Sequence, residues 1–381
     1  MIYLLPLIIL LIIAFNREYQ YGYSAKSNKP IFYIFLSYLV VLMALRYRVG
    51  IDTLNYMEGY QWVKPIDKTS FAEIFAQFEP LNVLLRSLAK GISDDFVIYQ
   101  IFHVVLLNAL IARFILKHTK NILFALFFYF LLAALYFNTE ILRESLAVAV
   151  FINAYDYMKQ NKWLKYYACI VVAIGFHTSA IITLLMPLSN MLRLNKLFWI
   201  CSIVFVLVLI QFQNQLEFIA LYLDATAGEK LTRYLNSDRL NINWIISQLI
   251  STVFFPLSFL YILKKRKISL EYENMVGLYI VMGLGIIPLQ IIFSRFTNYF
   301  VFFYILLLAE VLPQIKLNRF KIVQLMLVNS LIIWILGMDY FKQVNSLNQV
   351  RRLSRWYPYH SIIEKEKDPT REQSWQVEFG R

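Results

Sequence analysis

Residues 121–138 read NILFALFFYFLLAALYFN, with no charged side chain among them. A helix needs about 20 mostly apolar residues to cross a bilayer core, somewhat fewer where the bilayer thins. This stretch is long enough, and it is not alone. Working outward, comparable runs fall at 2–16, 31–46, 96–116, 140–158, 196–213, 243–263, 273–293, 297–313 and 320–338. Composition agrees. Of 381 residues, 59% are hydrophobic and 16% charged. Soluble domains average roughly 45–50% and about 25%. Mean hydropathy is +0.56. A soluble domain could not hide that much apolar surface. The fold class expected is therefore all-α, a polytopic integral membrane protein of about ten transmembrane helices. It forms one membrane domain over 1–338 with outer loops 47–95 and 214–242, then an extracytoplasmic tail over 339–381.

The net charge of +13 would suggest nucleic acid in a soluble protein. Here Lys and Arg collect in short loops between apolar runs, which marks cytoplasmic loops instead. No nucleic-acid partner is expected; the bilayer is. Cys169 and Cys201 both lie inside apolar runs, so no disulfide framework is implied. Met1–Phe15 lacks a basic leader and a small-residue cleavage site, and is expected to stay as a first span.

The segment 163–192 is also apolar but breaks near His177. Counted as one crossing, it would put Lys264–Lys267 outside. Counted as entering and returning, it leaves every basic cluster inside. It is therefore expected to be a re-entrant or broken helical element with Phe176–Ser179 at its tip. Irregular backbone at membrane depth is tolerated only inside protein or beside a wet cavity, so the break itself points to a site. In the loop 47–95, the amphipathic stretch Phe71–Leu88 suits the membrane interface.

Four arginines fall on the outer side against the charge rule: Arg46 and Arg48 in LRYRVGIDTLNY, Arg143 in NTEILRESLAVAV and Arg295 in FSRFTNYF. The planar guanidinium fork matches phosphate oxygens two at a time, so the set suits a lipid-linked pyrophosphate. The bland alternative pairs Arg48 with Asp52, and Arg143 with Glu140 or Glu144. Asp52 stands beside Gly50 and ahead of Asn55 and Tyr56. It could take a proton from a sugar hydroxyl, or simply clamp the loop. Glu140 has the same two readings. His177 coincides with the expected break and with Thr178 and Ser179, which favours a role as base or phosphate donor. Tyr357 and Tyr359 in YPYH suit sugar stacking or interface anchoring. There is no P-loop, no GxGxxG after a strand, no HExxH and no CxxC pair, so neither a cofactor nor a metal is expected.

LRYRVGIDTLNY, ILRESLA, GFHTSAII, SRFTNYF and YPYH, in this order across ten or so spans, resemble the EpsG family of Wzy-type polysaccharide polymerases. The resemblance covers nearly the whole chain. The loop after Asp52 and the segment 211–242 match none of its motifs. The resemblance implies a membrane glycosyltransferase on the outer face of the bacterial inner membrane. It would move a growing glycan from undecaprenyl pyrophosphate to the non-reducing end of a new lipid-linked repeat unit. It also implies a separate chain-length regulator and other assembly proteins as partners. On that basis Arg46, Arg48, Arg143 and Arg295 are candidates for the pyrophosphate, and Asp52 or His177 for proton transfer. Glu140, Asn55, Tyr56, Tyr357 and Tyr359 are candidates for holding sugar. An O-antigen ligase, a flippase of lipid-linked sugars and a membrane acyltransferase are the rival readings.

Overall fold

The computed structural model describes residues 2–22, 24–220, 242–314 and 355–379. Its regular elements are helices. Among the described residues the strand-like pairing is one isolated bridge, Arg46 to Ser361. The chain forms two compact units, residues 1–184 with 312–381, and residues 185–311.

The first unit holds α1 (Leu4–Ala14), α2 (Ala25–Ala44), α3 (Ile51–Gln61), α4 (Phe71–Phe75), α5 (Pro80–Ile92) and α6 (Phe96–His118). It continues through α7 (Ile122–Thr139), α8 (Leu142–Lys159) and α9 (Trp163–Phe176). The second holds α10 (Lys196–Ala220), α11 (Ile245–Lys265), α12 (Glu273–Gly285) and α13 (Gln290–Val311). The C-terminal helix α14 (Pro369–Glu378) belongs to the first unit.

Among the described residues, five helical segments are long and apolar enough to cross a membrane: α2, α6, α7, α11 and Gln290–Gln314. The expected count of about ten is not confirmed, for physical reasons. Arg143, Glu144, Asp156 and Lys159 dilute the hydropathy of α8 despite its 18 residues. The run 273–293 is interrupted after Gly285, ahead of Pro288, which cannot continue a helix. The expected span 320–338 and most of the loop 214–242 lie outside the described residues.

Polar side chains fix the register of the apolar helices. Glu18, 5% exposed, accepts from the Leu123 and Phe124 amides at 2.9 and 3.0 Å and so caps the start of α7. Deeper in, Tyr129 donates to Asn108 at 2.7 Å, and Asn108 donates to Asn138 at 2.9 Å. In the second unit, α12 and α13 meet through Tyr279 and Tyr304, whose rings stack at 5.2 Å.

Two features bear on the site. The stretch Phe71–Leu88 is not one helix but α4 and α5, separated by a turn ending at Glu79. The break in 163–192 falls where the sequence places it. Helix α9 stops at Phe176, His177 is extended at φ −155°, ψ 131°, and Thr178–Met191 continues as a 3₁₀ helix.

Candidate functional site

The Phe176–His177 corner meets the start of α5. Gly175 makes this approach possible: a Cβ there would sit 2.8 Å from Leu81 Cγ, closer than packed carbons come. Leu81 follows Pro80, the first residue of α5, and Glu79 is its N-cap. Pro at the first helical position is favourable, because its missing N–H would have no partner there. Glu79 itself is left-handed at φ 59°, ψ 58°. A non-glycine residue holds that conformation at a cost of about 1–3 kcal/mol, and such strain gathers at functional sites.

The strained residue is the hub of the cluster. Glu79 is 6% exposed. Its Oε1 meets His177 Nδ1 and accepts from the Thr178 amide at 3.3 Å. Its Oε2 accepts from Arg143 Nη1 at 2.5 Å. Burial alone would raise the Glu79 carboxyl. The His177 hydrogen bond, the Arg143 charge and the Thr178 amide outweigh it, and hold the group below the usual carboxylate range. On its other side, His177 Nε2 lies 3.7 Å from Glu144 Oε2. The Arg143 guanidinium carbon is 5.8 Å from the Tyr56 ring centroid. Arg143 Nε is buried without a hydrogen-bond partner among the described residues. Its side chain as a whole is 41% exposed, so other nitrogens of the fork remain reachable. Tyr60, Ala89, Phe96, Tyr99 and Leu142 pack beneath, with Tyr56 against them, joining α3, α5, α6 and the start of α8. Burial pushes the Tyr56 phenol up, so it stays a neutral hydrogen-bonding group.

Other expected residues gather around the C-terminal segment. Glu140 accepts from the Ile51 and Asp52 amides at 3.3 and 3.0 Å, so its carboxylate caps the first turn of α3. Arg355 Nη1 approaches the same carboxylate at 3.4 Å. Asp52 and Asn55 are half-buried on α3. Gly50, at φ 98°, makes the turn into that helix; a Cβ there would lie 2.7 Å from Thr139 Cβ. Arg48 pairs with Glu372 of α14, Nε to Oε1 at 2.5 Å and Nη2 to Oε2 at 2.6 Å. Arg46 is 1% exposed and donates to the Met43 carbonyl through Nη1. Its Nε and Nη2 have no hydrogen-bond partner among the described residues. Tyr359 donates to the Leu42 carbonyl at 3.0 Å, while Tyr357 is exposed. Arg295 stands half-buried on α13 in the second unit.

Two arginines do pair with carboxylates, but not with those of the bland alternative. Arg48 bonds Glu372 rather than Asp52, and Arg143 bonds Glu79 rather than Glu140 or Glu144. Glu79, Glu372 and Arg371 were not singled out by the sequence. Glu79 had one local signal, an acid immediately before a proline that opens an amphipathic run. Among the described residues, no group of three or more His, Cys, Asp and Glu side chains is placed to hold a metal ion.

A family model matches residues 29–361 and describes the EpsG family. The chain belongs to the EpsG family. The match runs from the first turns of α2 to the residues beside Tyr359, so it takes in the Glu79 cluster and all four arginines. EpsG proteins are Wzy-like polysaccharide polymerases, which makes this EpsG member a membrane protein of polysaccharide polymerisation. No curated protein and no solved structure matches it.

Proposed function

We propose that this EpsG-family chain polymerises lipid-linked glycan repeat units. The growing chain is transferred from undecaprenyl pyrophosphate to the non-reducing end of a new lipid-linked unit. The reaction takes place on the outer face of the bacterial cytoplasmic membrane, with a separate partner setting chain length. One observation carries the reading. Arg143, at the start of α8, and His177, just past the end of α9, meet on the single carboxylate of Glu79. Such a cluster sets a guanidinium fork for pyrophosphate beside a group able to accept a hydroxyl proton, the two needs of glycosyl transfer from a pyrophosphate. Arg48 is a further donor to the anion, and Tyr56 and Asn55 hold sugar.

The test is a gel of surface glycan from a strain lacking the gene. Collapse of a ladder to a single-unit band, restored by the gene, supports the polymerase. An intact ladder detached on its lipid carrier makes the protein a ligase. Lipid-linked units trapped on the inner face make it a flippase.

A further inference from the structure

We propose that Glu79 is a positioning residue of the transfer step: it sets His177 Nε2 to accept the proton and ties that setting to the arginine that takes the pyrophosphate. The proposal rests on the polymerase reading and adds a residue to it.

An ionised carboxylate only accepts hydrogen bonds. With Glu79 Oε1 against Nδ1, the ring proton is held on Nδ1 and the lone pair is left on Nε2. The 3.7 Å between Nε2 and Glu144 exceeds a hydrogen bond, so Nε2 is not spent on that carboxylate. The charged and titratable groups around the ring are Glu79 from α5, and Arg143 and Glu144 from α8, with Tyr56 from α3 beyond Arg143. The imidazole is thus locked on one side and available on the other.

The second oxygen of Glu79 makes the arrangement conditional. It holds Arg143 Nη1, while the Arg143 side chain is partly exposed. A pyrophosphate carries more charge than a carboxylate and matches the fork as well, so it competes with Glu79 for that nitrogen. As Arg143 turns to the donor, the Glu79 charge is left to His177 Nδ1–H. The acceptor hydroxyl oxygen then bonds to the anomeric carbon, and its proton passes to Nε2. The bond from the anomeric carbon to the phosphate oxygen breaks. Its electron pair leaves with undecaprenyl pyrophosphate, against Arg143. The imidazolium, flanked by Glu79 and Glu144, returns the proton to the departing phosphate. Proton acceptance is thereby strongest once the donor is seated, which guards the donor against premature hydrolysis.

The experiment uses the full-length protein in lipid nanodiscs, with lipid-linked repeat units extracted from the deletion strain as substrate. Glu79→Gln is expected to lower kcat by about 10²–10⁴-fold, the range that a correctly oriented general base contributes. The KM for the lipid-linked donor is expected not to rise, because a neutral amide no longer competes for Arg143. General loosening of the site would raise KM instead. The double variant Glu79→Gln/His177→Gln is expected to be no slower than His177→Gln alone. A wild-type kcat in Glu79→Gln, a raised donor KM, or multiplicative losses in the double variant would each overturn the proposal. If Glu79→Gln does not accumulate, nitrogen NMR of histidine-labelled wild-type protein reads the tautomer, with His177→Gln for assignment. A proton on Nδ1 supports the proposal, and a bare Nδ1 overturns it. Failure of the wild-type protein to lengthen the repeat unit overturns the polymerase reading and this proposal together. Elongation with a fully active Glu79→Gln removes only the role of Glu79.

Discussion

Glu140 and Glu79 are both nearly fully buried carboxylates of the first unit, at 1% and 6% exposure. Each meets an arginine, Arg355 at 3.4 Å for Glu140 and Arg143 at 2.5 Å for Glu79. Their other partners differ in kind. Glu140 takes two backbone amides at the start of α3, where a carboxylate also meets the positive end of the helix dipole. Those amides cannot turn elsewhere without unravelling the helix. Glu79 takes the Thr178 amide and the His177 imidazole, and the imidazole, like the guanidinium, is a side chain that can exchange one partner for another. The same acid group, equally buried, is a strut in one place and a working part in the other. What sets Glu79 apart is that two of its three donors are side chains.

The comparison can be broken most severely at Arg143. Arg143→Ala should abolish long chains, a loss of at least about 100-fold if the fork stabilises the leaving group. The chain should still insert in the membrane. Arg295→Ala is expected to act in the same direction. Normal ladders from both variants, read on a glycan gel, would remove the pyrophosphate clamp. Next comes Gly175→Ala, which keeps every polar group but forces α5 away from α9 through Leu81. Overpacking of this kind costs about 1–3 kcal/mol. Turnover should fall, and Leu81→Ala should restore part of it. Turnover that is unaffected in the single variant would show that the approach is not needed.

Glu140→Ala should act on stability first. Losing a helix cap costs about 1–2 kcal/mol, seen as a lower thermal midpoint. Turnover per folded molecule should suffer much less than in Glu79→Gln; equal losses would erase the distinction drawn above. Acid sharpens it from the other side. The Glu79 carboxyl is held below its ordinary value, so its contribution is complete above the unfolded-state pKa of about 4.3. That contribution is lost as pH falls through the lower folded-state value. Thermal midpoints measured downward from pH 6 should therefore drop more steeply in the wild type than in Glu79→Gln. The smallest effect is expected at Arg48 and Glu372, a bidentate pair with side chains 17% and 22% exposed. A double-mutant cycle on this pair should give about 1 kcal/mol.

Much of this was legible in the sequence. Membrane class and helical fold follow from the apolar runs, and the break at His177 from a lone polar residue inside one. The arginines stood out because they violate the charge rule. Partners were not legible. Arg143 had acids one residue and three residues away, yet bonds Glu79: Glu144, next in sequence, points around the α8 axis, and Glu140 precedes the helix and caps α3 instead. Glu79 carries no periodic signal of its own. Its role comes from the meeting of α5 with the α9 corner, which Gly175 allows only in three dimensions. Of the expected spans, five are long and apolar enough among the described residues, whereas α8 is apolar in its middle and charged at its ends.

The segment 355–379 is stitched to the beginning of the chain. The Tyr47 amide donates to the His360 carbonyl at 2.7 Å, the Gly50 amide to Arg355 at 2.8 Å, and the Ile362 amide to Leu45 at 2.9 Å. Arg371 adds bonds to the Arg48 and Pro358 carbonyls at 2.9 and 2.6 Å. Backbone amides beside the first arginines are therefore completed by residues that leave the ribosome some three hundred positions later. That edge therefore stays open until residues 355–379 have been made, and a chain that stops short of them leaves the turn bearing Arg46 and Arg48 without its backbone partners.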